Sequence, residues 1–96
     1  MDILLNAPYY SSITLCDTIP DLFKLAHNNQ FLKVIKRSQL IMQEMTEKHS
    51  IDMNREYVHK AMMYLSYVIV FAKKHDSLHS KYMMWDLYHH LKHCAS

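Results

Sequence analysis

The sequence predicts an all-α fold: a small antiparallel bundle of three longer helices and one short N-terminal helix, preceded by an extended or irregular arm. Three observations lead there. Glycine is absent from all 96 residues, and tight β-hairpins usually need it at positive φ. Apolar residues over 31–45 recur at the spacing of one helix face. The stretch most like a strand, residues 9–16, finds no partner elsewhere in the chain, and a lone strand leaves its backbone groups unpaired.

At 11.5 kDa the chain holds one core. Half of its residues are hydrophobic, which favours a packed globule over a disordered chain. The reading divides it into an arm, residues 1–17, and one helical domain, residues 18–96. In the arm, Pro8 discourages a continuous helix, and Tyr9, Tyr10, Ile13 and Thr14 are strand formers.

The first helix is expected at Thr18. Its hydroxyl can cap free amides, Pro20 suits a first turn, and Asp21 sits near the positive end of the dipole. It ends near Ala26, because Asn28 and Asn29 tolerate left-handed φ. The second, residues 30–48, is the clearest. Phe31, Val34, Ile35, Ser38, Ile41, Met42 and Met45 share one stripe, with Lys33, Lys36, Arg37, Gln43, Glu44 and Glu47 opposite. Leu32 and Leu40 lie off the stripe.

Ser50 or Asp52 would cap a third helix over residues 53–75. Residues 61–72 are apolar nearly all round, the profile of a central helix touched from several sides. Lys73, Lys74 and His75 crowd its negative end. The last helix covers residues 78–93. Leu78, Tyr82 and Trp85, joined by Met84 or Tyr88, are read as its core line. Leu87, Leu91 and Met83 widen the apolar zone beyond what one neighbouring helix covers.

Chemistry-bearing motifs are few. Without glycine there is neither a phosphate-binding loop nor a nucleophile elbow. Eight histidines include the i, i+4 pairs His75/His79 and His89/His93, with His90 four before Cys94. A closed zinc site takes four ligands and no third fixed ligand accompanies these pairs, so no metal and no cofactor are expected. Asp17 with Asp21 and Glu44 with Glu47 share solvated positions rather than the contrasting environments of an acid–base pair. No enzyme is expected, and no catalytic residue is assigned. Cys16 and Cys94 are read as reduced thiols, because no signal peptide opens the chain. The longest nearly apolar run, residues 61–72, falls short of the ~20 residues a membrane span needs. A cytoplasmic protein is the expectation.

What remains is a surplus of soft apolar side chains: eight Met, seven Tyr, three Phe and one Trp. Core positions absorb most of them. A small bundle cannot bury all, and Tyr, Trp and Met favour interfaces. Tyr82, Met83, Met84, Trp85 and Tyr88 are therefore the candidate partner-binding residues, and the partner is another protein or a second copy of the chain. The expected function is a small adaptor, dedicated chaperone or inhibitor. The second reading, a helical nucleic-acid-binding regulator, rests on Lys33, Lys36 and Arg37 with Lys73 and Lys74. Two arginines and a pI near 8.5 give it a thin basic footprint.

Overall fold

The computed structural model describes the backbone of residues 12–48 and 55–95. Four helices fill them: α1 (Ser12–His27), α2 (Phe31–Lys48), α3 (Arg55–Lys73) and α4 (Ser77–Ala95). The predicted all-α bundle is what the chain forms. Residues 1–11 of the expected arm, and the expected cap at Ser50 or Asp52, lie outside the described residues.

Each helix packs against two neighbours, α1 on α2 and α4, and α3 on α2 and α4. Cross-helix contacts fix their directions. Ser77 Oγ donates to the Ala26 carbonyl at 2.7 Å, joining the start of α4 to the end of α1. The Cys16 thiol, near the start of α1, reaches the Tyr88 carbonyl far along α4 at 3.6 Å. Phe31, opening α2, stacks on His75, just past α3, with centroids 4.9 Å apart. Tyr64 in mid-α3 meets His90 late in α4 at 5.9 Å. All neighbours are therefore antiparallel, and both described loops sit at one end of the bundle.

Those two loops close the same way. Asn29 and His75 take left-handed φ of 60° and 56°. In the first, Gln30 N–H donates to the Leu25 carbonyl and Asn29 N–H to that of Ala26; in the second, Asp76 and His75 donate likewise to Phe71 and Ala72. This paired pattern satisfies helix-end carbonyls around a residue usually glycine. Without glycine the chain uses Asn and His. Asp76 then caps α4: its Oδ1 accepts the His79 N–H at 3.1 Å, and its Oδ2 lies 2.8 Å from His79 Nδ1.

Each helix contributes one buried line to the core. These are Cys16, Ile19, Leu22 and Ala26; Val34, Ser38, Ile41 and Met45; Ala61, Leu65, Val68 and Ala72; and Ser80, Met84, Leu87 and Leu91. The α2 stripe matches the sequence reading, with Phe31, Ile35 and Met42 half-buried at its edges. Leu32 and Leu40 are exposed.

Three expectations are corrected. α1 starts six residues before Thr18 and carries Pro20 inside it, so residues 12–17 are helix rather than arm. Burial of Cys16 and Ile19 against α4 outweighs the backbone bond that proline forfeits. α3 is not wrapped on all sides: Met63, Tyr67 and Val70 are exposed, because α2 and α4 cover only one arc of it. On α4 the expected core line is inverted. Leu78, Tyr82 and Trp85 face out, while Leu87 and Leu91 are core.

Candidate functional site

The inversion of α4 defines the site. Ser80, Met84, Leu87 and Leu91 repeat at i, i+4, i+7 and i+11; so do Leu78, Tyr82, Trp85 and His89. Both rows are helical stripes, so period alone does not choose between them. Ser80 lets α4 approach α3 closely, its hydroxyl donating to the Val68 carbonyl at 3.1 Å. Met84 and the two leucines then fill the interior. The bulky aromatic row is left outside, with Leu78 at 53% and Tyr82 and Trp85 each at 54% exposure.

Of the five residues singled out from sequence, Tyr82 and Trp85 are exposed, and Met83 and Tyr88 are half-buried flanks packed against the core. Met84 is a correction. It is fully buried, one position from Trp85 but turned about 100° round the helix, and no partner can reach it.

Trp85 and Tyr88 stack at 5.8 Å, and His89 stands edge-on to Trp85 at 4.6 Å. Across from them, α1 presents Ile19, Pro20, Phe23 and Lys24, and the two helices enclose a shallow apolar groove of about 380 Å³. Lys81 spans its upper rim, with Nζ 5.6 Å from the Phe23 ring centre and 3.3 Å from His27 Nδ1. Lys92 holds the lower rim, its Nζ 5.7 Å from the Tyr88 ring. Sequence reasoning missed Phe23 and Pro20. Phe23 follows the buried Leu22 by one residue, 100° off the core line, and the late helix start assigned to Pro20 hid its place on that face.

A second depression, of about 410 Å³, lies along α3 between Glu56, His59, Lys60 and Met63. Among the described residues, no group of three or more His, Cys, Asp or Glu is placed to hold a metal ion. The side chains of His93 and Cys94 lie outside that description. Cys16 is a free, buried thiol. Burial, and to a lesser degree the Asp17 charge, push its pKa up, so it stays protonated, the opposite of an activated nucleophile. No helix among the described residues is long and apolar enough to cross a membrane. Comparison with family models, curated proteins and solved structures finds no match to this chain.

Proposed function

We propose that this protein is a non-enzymatic binding module. It receives an apolar segment of another polypeptide, a separate protein or a second copy, on the α1/α4 groove and the outer face of α4. One observation supports the reading above others: Leu78, Tyr82 and Trp85 lie one turn apart, each more than half exposed, beside the exposed Phe23 of the neighbouring helix. A contiguous aromatic patch of this kind is costly in water, at about 25 cal/mol per Å², and marks association sites. Trp and Tyr are also the side chains that anchor interfaces. An adaptor, a dedicated chaperone or an inhibitor would each use such a surface.

Trp85 is the sole tryptophan, so its fluorescence reports the site directly. A photo-crosslinking residue at position 82 should capture a second chain through this face in the native cell, and Trp85→Ser should abolish that product while the melting temperature stays within a few degrees. If purified protein sediments as a monomer up to about millimolar concentration, and position 82 crosslinks to nothing in cells, the proposal fails.

A further inference from the structure

The groove between α1 and α4 has an apolar floor and a lysine at each end. Ile19, Pro20 and Phe23 of α1 meet Trp85 and Tyr88 of α4 along it, and Lys24 is the one charged side chain among the described residues that line it. Two further lysines stand on the rings of that lining: Lys81 over Phe23, at 5.6 Å, and Lys92 over Tyr88, at 5.7 Å. On α4 the row Lys81, Trp85, Tyr88 and Lys92 has the i, i+4, i+7, i+11 spacing of one helix stripe. Its two ends are eleven residues apart, about 16 Å along the axis. Asp17 and Asp21 are exposed on the side of α1 away from the core, and Asp86 is turned about 100° round α4 from Trp85. Asp17 and Lys92 act in opposite senses on the Cys16 thiol, so the Lys81 end, with Lys24 beside it, is the more positive.

We infer that the groove takes an amphipathic helix of another protein, in which two apolar residues are flanked by an acid at each end. The inference rests on the reading of this groove as the binding surface. Charge complementarity selects the occupant. An acid, two apolar side chains and an acid at i, i+4, i+7 and i+11 would meet Lys81, Trp85, Tyr88 and Lys92, and that spacing reads the same in either chain direction. α1 and α4 present helix surface and no sheet edge, so an extended segment would lay unpaired amides on the floor, whereas a helix pairs its own. A single-headed anionic amphiphile would meet the lysine at one end only. A second copy lacks the pattern, because no two acids of the 96 residues stand eleven apart.

The probe is a Trp-free helical peptide of about 18 residues, with Glu, Leu, Leu and Glu at that spacing on an Ala/Gln background, and Gln-ended and Lys-ended versions of it. Trp85, the sole tryptophan, should report binding as a blue shift when its exposed indole is covered. At low salt the Glu-ended peptide should bind the full chain about tenfold or more tighter than the Lys-ended one, and the gap should close at 1 M salt, where the Debye length is about 3 Å. Lys81→Glu/Lys92→Glu should reverse that order while keeping its helical circular dichroism, and Lys81→Gln should cost more affinity than Lys92→Gln. The peptide series is run on the wild-type chain, so it decides the matter even if the double variant fails to fold. Equal binding of all three peptides overturns the inference and leaves the broader reading standing on apolar contact alone. A blue shift with phosphatidylserine vesicles and none with the Glu-ended peptide overturns it in favour of a membrane surface. No response to any peptide also overturns it, and crosslinking from position 82 then decides the broader reading separately.

Discussion

Ser38 and Ser80 are both buried hydroxyls in helices, and their partners give them opposite signs. Ser80 donates to the Val68 carbonyl; the Ser38 hydroxyl, equally buried, has no partner among the described residues. A buried unmade bond costs about 1–3 kcal/mol, while a made one contributes about 1. Ser38→Ala should therefore raise stability by about 1 kcal/mol in urea unfolding, and Ser80→Ala should lower it by a similar amount. Two destabilisations would mean that the Ser38 site prefers a hydroxyl for its packing volume. At Asn29 the left-handed backbone makes Asn29→Gly neutral to stabilising, by up to about 1 kcal/mol. Asp76 sets an acid response. Its pKa is lowered, chiefly by the His79 N–H and then by the His79 ring. A depressed carboxylate contributes stability that is complete above its ordinary value of 3.8 and disappears as pH falls through its lower folded value. Thermal melts from pH 6 to pH 2 should show part of the acid loss below about pH 4, and Asp76→Asn should flatten that part.

Helices differ in how plainly their sequences declare them. α2 was readable because its apolar and charged residues separate onto opposite faces, so one face only could be core. α4 has apolar residues on almost every side, and the choice between its two stripes depends on what α3 and α1 offer, which the local sequence does not contain. The candidate site inherits that limit: the segment was legible, but its orientation was not, and the buried Met84 stood among the partner-binding candidates. Pro20 misled for a related reason, since a local start signal was overridden by long-range packing of Cys16 on α4. Substitution tests the orientation. Met84→Ala and Leu87→Ala should each cost about 2–5 kcal/mol, whereas Tyr82→Ser and Trp85→Ser should change stability by less than about 1 kcal/mol. The reverse ranking would restore the line first read from sequence. Pro20→Ala should stabilise α1 by about 1–3 kcal/mol, because alanine restores the donor to the Cys16 carbonyl.

For the whole molecule, arrangement of charge matters more than its sum. A protein of net charge +2 should feel little self-repulsion, yet the first turns of α2 carry Lys33, Lys36 and Arg37 with no acid until Glu44. The ion pair of His79 with Asp76 lies within one helix turn. Removing two charges should then stabilise the fold. Lys33→Gln/Arg37→Gln eliminates an i, i+4 repulsion worth about 0.2–0.5 kcal/mol and a first-turn cation opposed by the dipole at about 0.3–1 kcal/mol. In 10 mM salt, where the Debye length is about 30 Å, the variant should melt about 4–8 °C above the wild type for a gain near 1 kcal/mol. In 1 M salt the Debye length falls to about 3 Å, and the two curves should converge. A constant gap would trace the gain to glutamine's own packing or propensity rather than to charge. A variant less stable at low salt would mean that these cations hold the bundle together, and the repulsion assigned to them would be outweighed by contacts their side chains make.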